Sequence, residues 1–238
     1  MSDANEATAR LTVQPGKRVA IWLGTRAPVR TVRWLDGALR AAAKLDPDKT
    51  GRVVALAAGS ASWLDLASDR ARHAGIASAG VPTDLQLDYL GWAQIVAAAV
   101  RQLAAGTVLV DEASRPERWI EVAAIAELLD AVQLTHVVKV AADKDVLTAS
   151  RVLGRQLQTV RVRGPAVLGV RIAGAPVDEY PTPMPSTSMQ RLELAQLGLD
   201  PIVLGHRAQP PRGSTEPRKT VERVAEHLLV HLAPREVR

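Results

Sequence analysis

Neither cysteine nor phenylalanine occurs in the 238 residues of this chain. The first absence removes disulfides, iron–sulfur clusters, thiolate metal sites and cysteine nucleophiles, and fits a reducing compartment such as the cytoplasm. The second leaves five tryptophans, Trp22, Trp34, Trp63, Trp92 and Trp119, as the main bulky aromatics in a chain rich in alanine and valine. Long apolar runs are also missing: the longest, near Val53–Gly59 and Ile95–Val100, fall far short of the ~20 residues a bilayer helix needs. Met1–Gly16 is polar, with Asp3 and Glu6 and no apolar core, so it reads as a flexible tail and not as a secretory signal. No serine stands in a G-x-S-x-G elbow. The net charge of +5 is too modest to mark a nucleic-acid binder by itself.

Glycine is missing at the place where its absence excludes most. Thr107–Asp130 reads as a short apolar strand, two acids, a loop containing Pro116 and an amphipathic helix. In α/β proteins this corner beyond the carboxyl end of a strand commonly receives a ligand. A phosphate cradle there needs glycines, so that successive backbone N–H groups can close on the anion at a helix N-terminus. This loop has none, Pro116 lacks an N–H, and Arg115, Glu117, Arg118 and Trp119 crowd the approach. Four acids (Asp111, Glu112, Glu117, Glu121) against two bases (Arg115, Arg118) leave Thr107–Val122 at −2. Asp111-Glu112 is readable as an acid/base pair, but adjacent acids after a strand are the usual pattern of a helix cap or a solvated loop.

The rest of the chain supplies an alternation of strand and helix. Lys17–Gly24 and Arg52–Ala58 have the continuous apolar pattern of strands covered on both faces. Helices are predicted over Thr31–Leu45, Ser62–Ala74, Asp84–Ala105 (closed by Gly106) and Glu117–Asp130, with a weak strand at Ile76–Ala79. Four such alternations imply a doubly wound, mostly parallel sheet. From Gln133 the period changes. Leu134–Val140, Val146–Leu153, Leu157–Arg163 and Ala166–Ile172 follow one another without helices and are expected to pair antiparallel by hairpins turning at Gly154 and Gly164-Pro165. A proline-rich arm, Pro176–Ser188, leads to a short helix at Arg191–Leu197, a linker at Gln209–Pro217 and a terminal helix at Lys219–Leu232. Three parts result: a tail (1–16), an α/β domain with an antiparallel extension (17–174), and an arm, linker and helix suited to packing on a partner subunit (175–238).

Two further patterns carry chemistry. His227 and His231 have the i, i+4 spacing of a metal chelate but no third ligand, and read as a solvated helix face; His73, His136 and His206 are isolated. Arg151, Arg155, Arg161, Arg163 and Arg171 give +5 over Arg151–Arg171 with no acid between them. Single-strand binders add stacking aromatics to such charge, and this stretch has none. A solvated ribbon, or a surface for an acidic protein partner, is the better reading. Metal and catalytic sites are therefore not expected.

In order, these pieces resemble the β-subunit of electron-transfer flavoproteins over about Lys17–Leu232. Leu35-Asp36-Gly37-Ala38-Leu39 stands where that family has N-P-F-D-E-x-A-L, and Ala126-Glu127-Leu128-Leu129 matches its A-E-L-L. Val152, Gly154, Val160, Val162 and Pro165-Ala166-Val167 follow its V-x-R-x-L-x-G…V-x-V-x-L-P-A-V hairpin. Tyr180-Pro181, Pro183, Pro185 and Met189 follow its Y-P-S-L-P-N-I-M segment, and Leu197-Gly198-Leu199-Asp200 its L-G-V-D. The family's D-G-D-T-G-Q-V-G-P phosphate loop has become the glycine-free stretch near Arg115–Ala123. The resemblance implies an adenine-nucleotide-hydrolase-like α/β fold and a heterodimer with an α-like subunit that holds FAD. It also implies docking of a flavin-dependent dehydrogenase through Tyr180, Pro183, Met184, Pro185 and Met189. Trp34, near the family's Phe, would face the partner's flavin or else pack as a core tryptophan. The altered loop implies that this chain holds neither AMP nor a second FAD. The expectation is thus a cytoplasmic electron-transfer subunit and not an enzyme by itself. A second reading is a scaffold subunit locked into a larger flavin-dependent dehydrogenase complex.

Overall fold

The computed structural model describes residues 10–12, 18–24, 39, 45, 52–112, 118–143, 146–170 and 188–205. Within them the strands are β1 (Arg10–Thr12), β2 (Arg18–Trp22), β3 (Val53–Gly59), β4 (Ala77–Pro82), β5 (Ala105–Asp111), β6 (Val132–Asp143), β7 (Val146–Leu153), β8 (Gln156–Arg163), β9 (Ala166–Val170) and β10 (Gln190–Arg191). The helices are α1 (Ala61–His73), α2 (Tyr89–Gln102), α3 (Arg118–Leu129) and the short α4 (Pro201–Gly205). All ten strands join one sheet in the order β1-β8-β7-β6-β9-β5-β2-β3-β4-β10. Only β6–β7 and β7–β8 pair antiparallel; the other neighbours run parallel. The expected mostly parallel α/β fold is the observed one.

Side-chain alternation divides the core between the two sheet faces. Val53, Ala55 and Ala57 of β3 join α1 on one face, while Val54, Leu56 and Ala58 join α2 and α3 on the other. Every residue of β3 is buried, because a parallel strand between two helical layers has no wet face. Its small side chains let both layers approach closely.

Helix ends account for most departures from the expected boundaries. α1 starts at Ser60, whose hydroxyl accepts from the Trp63 N–H, and ends at left-handed Gly75 with the Ile76 N–H bonded back to the Ala71 carbonyl. α2 is shorter than its apolar pattern suggested. Asp88 caps its start by accepting from the Gly91 N–H at 2.7 Å, and the left-handed residue that closes it is Ala104 (φ 51°), not Gly106. Ala105 and Gly106 already belong to β5. Asp130 (φ 50°) ends α3 in the same way. β4 continues through Pro82 as a buried inner strand, where a weak stub ending at Ala79 was expected. Arg191–Leu197 is not a helix: Gln190–Arg191 adds β10 beside β4, and turns lead to left-handed Gly198. Arg10–Thr12, in the stretch read as a tail, lies parallel to β8.

The antiparallel expectation holds for β6–β7–β8 and fails for β9. That strand inserts between β5 and β6, parallel to both, and all five of its residues are buried. Its run Ala166-Val167-Leu168-Gly169-Val170 lacks the alternation of a one-sided hairpin strand, so burial on both faces decides its place. β6 serves two partners. Val132–Leu134 pairs with β9, a register shift follows before Val137, and the rest pairs with β7. His136 sits at this bulge with φ 59°. Most of the predicted Thr31–Leu45 helix, the arm through Thr187, the linker and the terminal helix with His227 and His231 lie outside the described residues.

Candidate functional site

The chain runs outward from β2 to β3 to β4, then returns through α2 to place β5 on the other side of β2. The reversal puts the topological switch point between the carboxyl ends of β2 and β5, where doubly wound sheets receive ligands. Trp22 and Val110 face each other across this point in register.

Among the described residues, a buried tryptophan stands at this point. Trp22, the last residue of β2, is 1% exposed and packs in the core on the side of α2 and α3. Its indole Nε1–H donates to Glu121 Oε2 at 3.3 Å, joining strand to helix across 99 positions of sequence. Glu121 lies in the first turn of α3 and is only 8% exposed. Its carboxylate supplies the negative charge that a helix N-terminus favours, a role that a bound phosphate plays elsewhere. On the other face Trp63 of α1 donates from Nε1 to the carbonyl of Gly24 at 3.0 Å. Gly24 has φ 90°, a conformation that suits glycine. Two indoles thus tie down the exit of one strand.

Two more acids lie beside the crevice. Asp111 ends β5 at 2% exposure, and the Glu112 side chain is 6% exposed, so neither belongs to the solvated loop expected of this pair. Glu112 holds the bulge of β6: its Oε2 accepts from the His136 backbone N–H at 2.8 Å and stands 3.3 Å from His136 Nδ1. Its backbone N–H donates to the Val170 carbonyl at 3.0 Å. Gly169 leaves the room this requires, since a Cβ there would collide with the Glu112 carboxylate. Among the described residues the buried Glu112 Oε1 has no hydrogen-bond partner. His136, isolated in sequence, is therefore paired in space.

The arrangement fits an anion poorly. An anion about 4 Å from one carboxylate is repelled by about 4 kcal/mol at an effective dielectric of about 20. Among the described residues no cluster of three or more His, Asp or Glu side chains is placed to hold a metal ion. His73 bonds the Asp69 carbonyl of its own helix at 2.7 Å.

Of the candidate partner-binding residues, Met189 alone is among the described residues. It is partly buried against the α1 face of the core, with its sulfur against Gly80 and Leu64 of α1 beside them. Trp34, Tyr180, Pro183, Met184 and Pro185 lie outside the described residues. Trp22, Trp63 and Glu121 carried no distinguishing mark in sequence beyond their place at a strand end or in the first turn of a helix.

These features define a doubly wound α/β protein with a buried Trp22–Glu121 hydrogen bond at its switch point. The model of the electron transfer flavoprotein domain matches residues 35–197, well over half of the chain, and the protein belongs to that family. Its function is accordingly electron-transfer-flavoprotein-like. No curated protein matches the sequence significantly. No helix among the described residues is long and apolar enough to cross a membrane.

Proposed function

We infer that this chain is a β-type subunit of an electron-transfer flavoprotein that binds no nucleotide of its own. It pairs with an α-like subunit carrying FAD, forms one wall of that flavin's site and docks a flavin-dependent dehydrogenase in the cytoplasm. The observation that carries the reading is the Trp22–Glu121 contact inside the switch crevice, with Asp111 and Glu112 buried beside it. A chain that kept the family fold yet needed an AMP or FAD phosphate would have left this crevice open and uncharged. FAD, when held by the partner, supplies the redox chemistry. The part proposed for this chain is positional: it orients the partner subunit, keeps water from the flavin through Trp34, and offers Tyr180, Pro183, Met184, Pro185 and Met189 to the dehydrogenase.

Acid precipitation of the complex purified from its native host, followed by chromatography of the released nucleotides, tests the reading. FAD at one per heterodimer with no AMP is expected. AMP at one per chain, or a second FAD, overturns it.

A further inference from the structure

Sulfur is scarce in this chain. With no cysteine, its sulfur chemistry is confined to Met1, Met184 and Met189, and Met189 alone of these is among the described residues. It stands where the proline-rich arm reaches the sheet. The next two residues, Gln190–Arg191, form β10 beside β4, with Gln190 level with Ala79 and Arg191 level with Gly80. So short a strand has little to hold it. Gln190 and Arg191 are both exposed, and one further backbone bond, from the Leu192 N–H to the Gly80 carbonyl at 2.9 Å, continues the pairing. Two apolar side chains flank it on opposite faces of the sheet. Leu192, 3% exposed, enters the core on the side of α2 and α3, while Met189 packs, partly buried, on the side of α1.

The seat of Met189 suits a thioether. Gly80 presents only a hydrogen on the α1 side of β4, and a Cβ there would collide with the Met189 sulfur and crowd the terminal methyls of Leu64. Leu64 is itself fully buried. Along the same face of β4, Ser78 shares its hydroxyl with Ser68 of α1 at 3.3 Å, and Pro82 has no N–H to offer. A polarisable, apolar sulfur fits these surroundings. A sulfoxide does not, because its oxygen is a strong acceptor brought against Leu64 and the backbone of Gly80. An acceptor buried without a donor loses its hydration and gains nothing in return. Partial exposure lets a small oxidant reach the sulfur.

We propose that Met189 is a reversible oxidation site whose conversion to methionine sulfoxide releases β10, and with it the end of the arm, from β4. The oxidant is hydrogen peroxide. The sulfur lone pair takes one peroxide oxygen as the O–O bond breaks; the sulfur is oxidised by two electrons, and the other oxygen leaves as water with both protons. The consequence rests on the reading of the arm as the element that docks the dehydrogenase: oxidation slows electron delivery from that enzyme.

The test treats the full-length chain with hydrogen peroxide; peptide mass spectrometry follows each methionine, and hydrogen exchange follows Gln190–Leu192. As Met189 gains one oxygen, exchange at Gln190–Leu192 is expected to quicken roughly tenfold while β3 stays protected. Methionine sulfoxide reductases, which return the thioether, should restore the slow exchange. Met184→Leu should respond to peroxide as wild type does, and Met189→Leu, which fills the seat but takes no oxygen, should not respond. Unchanged exchange once Met189 is fully oxidised, an intact Met189 after Met184 is fully converted, or a response of Met189→Leu equal to that of wild type overturns the proposal. Should Met189→Leu misfold, the first two outcomes on wild type still decide. Flavin reduction by the dehydrogenase is then measured on the complex, oxidised to the same extent at Met189. A loss that follows Met189 oxidation supports both readings. Quickened exchange with undiminished flavin reduction upholds the oxidation site and overturns the docking role of the arm.

Discussion

Replacing Trp22 by phenylalanine separates two contributions of this buried side chain, the indole hydrogen bond and its volume. The hydrogen bond is made to a buried carboxylate, where such bonds contribute about 1.5–3 kcal/mol; its 3.3 Å length places it at the low end. The smaller ring leaves a cavity of roughly 40 Å³, which at about 24 cal/mol per Å³ adds about 1 kcal/mol. The variant should therefore lose about 2.5 kcal/mol, a drop of roughly 5–10 °C in Tm for a chain of this size. Glu121→Gln keeps the side chain's shape and weakens the acceptor. Combining the two should cost less than the sum of the singles, by about 1 kcal/mol, because each breaks the same bond. Urea unfolding followed by circular dichroism, with the slope checked for constancy, measures all four corners of the cycle. If Trp22→Phe costs less than about 0.5 kcal/mol and the coupling is nil, Glu121 is satisfied without the indole and the contact does not hold the switch point in the way described.

Four further outcomes are expected. Ala104→Gly should stabilise the chain by about 0.5 kcal/mol: relief of a left-handed alanine (about 1–2 kcal/mol) is partly offset by the greater freedom of glycine in the unfolded state, and a lowered urea midpoint would contradict this. Met184→Ala with Met189→Ala should slow electron transfer from the dehydrogenase while the heterodimer keeps its flavin. Met189→Ala alone should also cost about 1–2 kcal/mol, since it packs on Gly80 and Leu64; a double variant that sheds its partner would make the arm an assembly element. The hydrogen bond from Arg72 (2.6 Å), helped by the charge of His73, holds the Asp69 carboxyl below its ordinary range. A lowered folded value stabilises above the unfolded pKa of about 3.9 and is lost as pH falls through the folded one. For this exposed pair the effect is a few tenths of a kcal/mol. Asp69→Asn should remove that acid limb from the stability profile, and an unchanged profile would refute the assignment.

Local patterns decided much of this protein in advance. Apolar runs of strand length, punctuated by Gly75 and the Ser60 cap, are enough to lay down β3 and α1, because backbone preference and burial act on neighbours in sequence. The glycine-free, acid-rich loop after β5 is legible as unsuited to a phosphate, since that chemistry depends on residue types within a few positions. Where the patterns misled, two signals coincided: the apolar run of α2 continues without a break into β5, and Ala104 takes the turn that Gly106 advertised. The same holds for β9, whose buried run is compatible with a hairpin partner until the third dimension seats it between β5 and β6. The contents of the crevice were illegible for a different reason. Trp22 and Glu121 are 99 residues apart, and Glu112 meets His136 across 24. Periodicity says which face a residue occupies, but pairing of distant residues depends on strand order and register, and those are settled only when the whole sheet closes on its two helical layers.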